Sequence, residues 1–250
     1  PLEQRGNYET SRRVLQIINQ VFRYAVITGR AKHNVAADLR GALRPRKTVH
    51  RAAVLEPEKV GQLLRDIDAY EGYFPLVCAL KLAPLVFTRP TELRAARWKE
   101  FDLESGEWRI PAERMKMRRQ HLVPLSRQAI SILRELQKYS REGKFLFPSI
   151  RTEVRPISDA TMLNALRRMG YQKHEMSVHG FRSIASTLLN ELGYNRDWIE
   201  RQLAHGEQNE VRATYNYAEY LPERRRMMQG WADYLDGLRN AKRKGSGDTV

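Results

Sequence analysis

The chain has 250 residues, 42% apolar and 29% charged, and its 44 Lys and Arg against 29 Asp and Glu give a formal net charge of +15. That composition supports a packed core and excludes a disordered tail. The single cysteine, Cys78, excludes an internal disulfide framework and a multi-cysteine zinc site, and the longest apolar stretch, Tyr73 to Phe87, is broken by Lys81 and too short for a membrane helix of roughly 20 residues.

Pro1 is followed by a charged amphipathic segment with no signal-peptide pattern, so a soluble cytoplasmic protein is expected, one whose native start lies upstream. Thr10 or Ser11 is placed to cap a helix whose core-facing stripe is Val14, Ile17, Ile18, Val21, Phe22 and Ala25, with Gly29 ending it. Asn34 starts a shorter helix carrying Val35, Leu39 and Leu43. Two short helices do not close a core, so residues 1–45 read as the end of a domain and the charged, aperiodic residues 46–56 as a linker. Pro57 then fits the first position of a helix with Val60, Leu63, Leu64 and Ile67 inward. Phe74 to Phe87 reads as a buried helix and Pro90 to Trp98 as a short one.

Between Lys99 and Leu125 the pattern changes to about three antiparallel strands, around Phe101–Leu103, Trp108–Ile110 and His121–Leu125. Ser126, Ser158 and Ser177 each precede a helical pattern, and Gly170 and Gly193 follow one. The remainder to about Arg239 reads as helical. Its last helix, from Glu223, has Met227, Met228, Trp231, Tyr234 and Leu238 inward and Arg224, Arg225 and Arg226 as a solvated basic edge. The expected fold class is mainly α with a small antiparallel β-sheet (α+β), residues 57–240 forming one domain and 241–250 a frayed tail.

The charge surplus is uneven: residues 1–52 hold eleven basic and three acidic side chains. Arg40, Arg44, Arg46, Lys47 and Arg51 share a stretch without an acid, and Arg114, Lys116, Arg118 and Arg119 cluster beside Glu113. Such a surplus suits a polyanion. No long basic amphipathic helix with bulky apolar anchors favours a membrane surface, so nucleic acid is the expected partner.

Several polar positions stand out against their surroundings. Arg89 lies at the lip of a buried segment, where a charge is costly unless it meets a partner; an ion pair with Glu92 at the surface would satisfy it. His179 and Arg182, three apart, share one face near a helix N-terminus, which favours anions. His205 follows an apolar helix, and taken alone is a C-terminal cap. Tyr215, Tyr217 and Tyr220, taken alone, are core aromatics, and Lys116 a turn charge.

Together these positions resemble the tyrosine recombinase family, most closely the prophage-type integrases. Thr88-Arg89-Pro90-Thr91-Glu92-Leu93 followed by Ala96-Arg97-Trp98 is similar to the family's first-arginine motif. Met115-Lys116 ahead of His121-Leu122-Val123-Pro124-Leu125-Ser126 resembles the hairpin lysine with its following strand, and Val178-His179-Gly180-Phe181-Arg182 the His-x-x-Arg box. Leu203-Ala204-His205 and Ala213-Thr214-Tyr215-Asn216-Tyr217 resemble the second histidine and the nucleophile segment. Ser11-Arg12-Arg13 through Phe22-Arg23-Tyr24-Ala25, with Gly29 and Asn34, resembles the end of the core-binding domain. Two departures stand: Thr91 replaces a small Gly, and Tyr217 sits where an Arg is common, leaving it a rival to Tyr215.

The resemblance implies a site-specific DNA recombinase that integrates or excises a mobile element through a covalent 3′-phosphotyrosine, with no cofactor or metal. Its chemistry is coherent with the residues. Breaking a phosphodiester without metal needs an oxygen nucleophile, cations to hold the phosphate as charge builds, and an acid for the leaving oxygen. Arg89 and Arg182 can each fork two donors onto non-bridging oxygens. Tyr215 would be the nucleophile and Lys116 the general acid, with His179 an acid/base group, His205 a donor to the phosphate, and Glu92 a support for the helix start. Arg44, Arg46, Lys47, Arg118 and Arg119 would contact double-stranded DNA. A tetramer on two duplexes is implied, compatible with a monomer off DNA. Two rival functions use the same residues: a DNA-binding relative that does not cut, and a type IB topoisomerase-like relaxing enzyme.

Overall fold

The computed structural model describes residues 2–39, 41–44, 52–140, 143–204 and 220–241. Most of the expected linker and nearly all of the expected tail lie outside these residues. The chain divides into two compact units, residues 1–50 and 51–250.

In the first unit, helix α1 spans Tyr8–Ile27. It begins at Asn7 rather than at Thr10 or Ser11, because the Ser11 hydroxyl bonds back to the Asn7 carbonyl (3.0 Å) and so sits inside the first turn. The stripe expected to face a core is largely open here: Ile17 and Val21 are 59% and 60% exposed, and Val14 and Ile18 each 39%. The helix expected from Asn34 does not form. Asn34 Oδ1 accepts the Ala36 amide (3.0 Å) and its Nδ2 donates to Asn19 Oδ1 (2.7 Å), which holds the backbone in turns instead. Arg12 donates to the Arg44 carbonyl, and Glu3 Oε1 accepts the Arg44 amide (3.1 Å).

The second unit begins with α2 (Pro57–Asp68), α3 (Phe74–Val86) and α4 (Pro90–Arg94). Pro57 and Pro90 occupy first helical positions, where a missing N–H costs nothing. α3 is buried along nearly its whole length, as its unbroken apolar sequence requires. α4 stops at Arg94, shorter than expected, and a 3-10 turn at Trp98–Glu100 leads into the sheet. Strands β1 (Phe101–Asp102), β2 (Glu107–Ile110) and β3 (His121–Pro124) pair antiparallel in the order β1-β2-β3, with Trp108 opposite both Phe101 and Val123, and Ile110 opposite His121.

After the sheet come α5 (Arg127–Ser140), α6 (Asp159–Arg168), α7 (Gly180–Glu191), α8 (Arg196–Gln202) and α9 (Leu221–Asn240). Between α5 and α6 lies a second hairpin, β4 (Pro148–Ser149) with β5 (Thr152–Pro156), in a region expected to be helical. β5 is exposed almost throughout, so no alternation of apolar and polar residues marks it in the sequence. Among the described residues no helix is long and apolar enough to cross a membrane.

One apolar core joins these elements, with Leu63, Leu80, Trp108, Leu133, Phe147 and Trp231 fully buried. Cys78 is among its members, and burial pushes its thiol up to about 12, so it is an inert packing group. Two helix ends are satisfied by side chains of neighbouring helices. Trp231 Nε1 donates to the Pro84 carbonyl in the last turn of α3 (2.9 Å), and Arg65 Nη1 donates to the carbonyls of Leu238 and Arg239 near the end of α9 (3.3 and 3.1 Å).

Candidate active site

The exit of α3 builds the first part of the site. Phe87 caps the helix in a left-handed conformation (φ +34°), and the chain then extends through Thr88 and Arg89 into Pro90. Glu92, on the first turn of α4, accepts the Arg89 amide on Oε2 (2.9 Å) and the Arg89 guanidinium on Oε1 (2.8 Å). The pair is not a surface ion pair: Glu92 is only 2% exposed. A carboxylate at a helix N-terminus that also fixes the preceding side chain makes one rigid corner.

Arg182 comes from the first turn of α7, which starts at His179, where the Ser177 hydroxyl accepts the Gly180 amide (3.2 Å). Its Nη1 donates to the Phe87 carbonyl (2.8 Å) and its Nη2 to the Leu203 carbonyl (2.6 Å). Arg89 Nη2 donates to the next carbonyl, Ala204 (3.1 Å). The two arginines, 93 positions apart in sequence, therefore meet at the carboxyl end of α8. Burial, and then the neighbouring Arg89 charge, push the Arg182 guanidinium down to about 10, while Glu92 and Glu200 act in the opposite direction. It stays charged at neutral pH. His179, half-buried, stands at the same helix start.

Gly180 allows this packing. A Cβ there would lie 2.7 Å from the Ala52 carbonyl oxygen and 2.9 Å from Met176 Sδ. Gly180→Ala is therefore expected to lower unfolding free energy by about 1–3 kcal/mol in urea titrations, through overpacking against backbone that cannot retreat cheaply.

Lys116 sits exposed in the loop between β2 and β3, with Arg118 and Arg119 exposed beside it and Arg118 at φ +50°. Buried residues bracket the loop: Met115 before it and His121 after it, each 6% exposed. Arg114, just ahead, donates to the Glu92 carbonyl (2.6 Å) and pairs with Glu100. Arg44 is exposed in the first unit. His205, Tyr215, Tyr217, Arg46 and Lys47 lie outside the described residues. α8 runs up to the segment that holds the first three of these, with Leu203 as its cap and Ala204 in a left-handed conformation (φ +48°).

A further buried polar cluster was not among the expected site residues. His121 Nε2 lies 3.1 Å from the Gln202 carbonyl, and the Gln202 side-chain oxygen accepts from Arg224 Nε (3.2 Å) and Nη2 (2.6 Å). Arg224 also donates to the Leu122 carbonyl (2.5 Å). The expectation that Arg224 belongs to a solvated edge is thus corrected, since it is 1% exposed and its guanidinium is pushed down to about 9 by burial and then by Arg201. The sequence does carry a signal for this: Arg224, Met227, Met228 and Trp231 fall three, four and seven apart, on one helix face. Arg225 does lie nearer solvent, bonded to the Ser105 carbonyl (2.8 Å) and paired with Glu107.

Burial first, and the Arg224 charge second, push the His121 ring down from 6.5 to about 3. An unfolded ring takes a proton below 6.5 and the folded ring does not until about 3, so acid favours unfolding across that window. Stability is expected to fall by about 1 kcal/mol per pH unit there from this group. Urea titrations between neutral pH and pH ~4 check this: His121→Gln should show a shallower acid slope.

The family model described as "Phage integrase family" matches residues 53–221, and "Phage integrase central domain" matches residues 1–42. An integrase of Enterobacteria phage P4 is 42% identical over 250 residues, covering 94% of this chain and 57% of that protein. Prophage integrase IntA of Escherichia coli is 41% identical over 236 residues, covering 94% and 56%. The chain thus spans a little over half the length of these relatives. Among solved structures, a Tn1549 transposon integrase in complex with a circular intermediate DNA superposes with a TM-score of 0.66 at 14% identity, over 86% of this chain and 77% of that one. A lambda integrase tetramer bound to a Holliday junction superposes with a TM-score of 0.63 at 18% identity, over 84% and 62%. The structural likenesses show that the mainly α fold with small antiparallel sheets is shared with these integrases, and the family match across residues 53–221 shows that the chain belongs to the phage integrase family.

Proposed function

We propose that this chain cleaves and rejoins double-stranded DNA at specific sites to integrate or excise a mobile element, within a tetramer on two duplexes. The observation that carries this is the meeting of Arg89 and Arg182 at one helix end. Two guanidinium groups converge there with the Glu92 carboxylate beside them, and a phosphate is an anion that two guanidinium forks fit. Each guanidinium has five N–H donors, so anchoring on carbonyls and gripping phosphate oxygens are compatible.

In this proposal the Tyr215 phenolic oxygen attacks the scissile phosphorus and the bond to the 5′ oxygen breaks. The tyrosine becomes 3′-phosphotyrosyl, while Lys116 gives its proton to the departing 5′ oxygen. Arg89 and Arg182 stabilise the charge on the non-bridging oxygens, His205 donates to the same phosphate, and His179 manages the phenol proton. Glu92 holds Arg89 in place. Attack by a 5′ hydroxyl reverses the steps, and because the phosphodiester energy is kept in the covalent link, no ATP is consumed. Residues 1–45 would belong to the core-binding domain and 57–240 to the catalytic domain, the segment between them spanning the two.

A nicked attachment-site duplex that loses its short 5′ fragment after cleavage traps the intermediate. An adduct resistant to SDS and sensitive to protease is expected. Binding without any adduct would leave only a DNA-binding relative, and relaxation of supercoiled plasmid without sequence preference would identify a relaxing enzyme instead. Arg44 and Arg46 are expected to contribute phosphate contacts regardless of sequence. Neutralising both should reduce the slope of log affinity against log salt by about 2, as counterion release requires, in titrations over several salt concentrations.

A further inference from the structure

At the carboxyl end of α8 three successive carbonyls are each taken by a basic side chain. The Gln202 carbonyl faces His121 Nε2, the Leu203 carbonyl accepts from Arg182, and the Ala204 carbonyl from Arg89. Two of these partners are the arginines already placed in the site. The third, His121, is the first residue of β3, where the chain comes back from the exposed Lys116 loop. A carbonyl can only accept, so the His121 ring carries its proton on Nε2. Arg224 closes the arrangement, bonding both the Gln202 side chain and the Leu122 carbonyl, one residue beyond His121. At the other end of the loop, Arg114 is bonded to the carbonyl of Glu92, the residue that fixes Arg89.

We propose that His121 is a positioning residue: its imidazole ties the strand following Lys116 to the last turn of α8, and so sets where the lysine ammonium stands relative to a phosphate held by Arg89 and Arg182. The loop is anchored at its two ends to the two elements that carry the anion grip, Arg114 to the Arg89 corner and His121 to the carbonyl end that both arginines hold. Between these anchors Lys116 is exposed, carried by the loop that they hold. Loss of the His121 anchor would leave the guanidinium pair intact and let the ammonium drift from the leaving oxygen.

This inference rests on the proposed strand-transfer chemistry with Lys116 as the acid, and the test separates the two. Cleavage rates are measured on two nicked substrates that differ only in the bridging atom at the scissile phosphate, 5′ oxygen or 5′ sulfur. A thiolate departs without a proton, so a defect in acid delivery slows the oxygen substrate alone. Lys116→Ala is the reference. Equal slowing of that variant on both substrates would show that the lysine is not the acid, and the underlying reading then fails whatever His121 does.

Given a lysine that behaves as the acid, His121→Phe is expected to slow the oxygen substrate about 10- to 100-fold, with the sulfur substrate and DNA affinity near wild type. His121→Gln, which keeps an N–H donor of similar reach, should recover most of the rate. Equal slowing of His121→Phe on both substrates, or a wild-type rate on oxygen, overturns the proposal. Should the Phe variant not fold, nitrogen NMR of the unmodified protein decides. A His121 ring with its proton on Nε2 and hydrogen-bonded there supports the tether, and a neutral ring with its proton on Nδ1 instead overturns it.

Discussion

Tyr215→Phe is expected to abolish covalent capture of a nicked attachment site, by more than about 10⁴-fold in cleavage rate, while DNA affinity changes little. The substitution removes one oxygen and keeps the ring, so bulk and charge are preserved while the proposed nucleophile disappears. No neighbouring group inherits the role cheaply, since in-line attack demands an oxygen aligned behind the phosphorus opposite the leaving group. The second tyrosine of the segment, Tyr217, lies two residues on. An undiminished adduct in Tyr215→Phe, lost instead in Tyr217→Phe, would transfer the nucleophile to Tyr217. Mapping the peptide that retains DNA after digestion gives the same answer without a substitution.

Replacing Arg182 should be nearly as severe. Arg182→Lys is expected to lower the cleavage rate about 100- to 1,000-fold, equivalent to roughly 3 kcal/mol of transition-state stabilisation. A lysine ammonium cannot reproduce a fork, and it cannot span the Phe87 and Leu203 carbonyls that Arg182 bridges. The burial and Arg89 charge that push Arg182 down to about 10 would also lower a lysine towards neutrality, where its charge is lost. Arg182→Ala should be no better catalytically and less stable, because it leaves two buried carbonyls without their donor. Single-turnover cleavage with saturating protein isolates the chemical step, and a Lys variant within threefold of wild type would remove Arg182 from the phosphate grip.

How much of the fold is legible in the amino-acid sequence depends on the kind of signal each element leaves there. α2 and α3 are readable because Pro57 marks a start and because an apolar run such as Phe74 to Phe87 has only one stable place to go. The three strands are readable from the change of pattern after Lys99. The hairpin at residues 148–156 is not, since exposed strands write no alternation. The turns after Asn34 are not either, because an Asn that caps a helix and an Asn that closes an Asx turn look alike in sequence. The stripe on α1 has helical spacing, yet periodicity tells which residues share a face and not whether that face is covered.

The amino-acid order by itself determined most helices and the three-stranded sheet of the larger unit, the family, and the set of polar residues proposed to carry the chemistry, because spacing and motif are properties of neighbours along the chain. Only the tertiary structure decided that Arg89 and Arg182 share the end of α8, that Glu92 is buried rather than surface-paired, and that His121, Gln202 and Arg224 form one polar cluster. These contacts join positions 81 to 115 residues apart, as with His121 to Gln202 and Arg89 to Ala204, or place a charge where solvent is excluded. Local periodicity does not say which partners meet, for that is settled when separate helices pack and each buried donor must find an acceptor within reach.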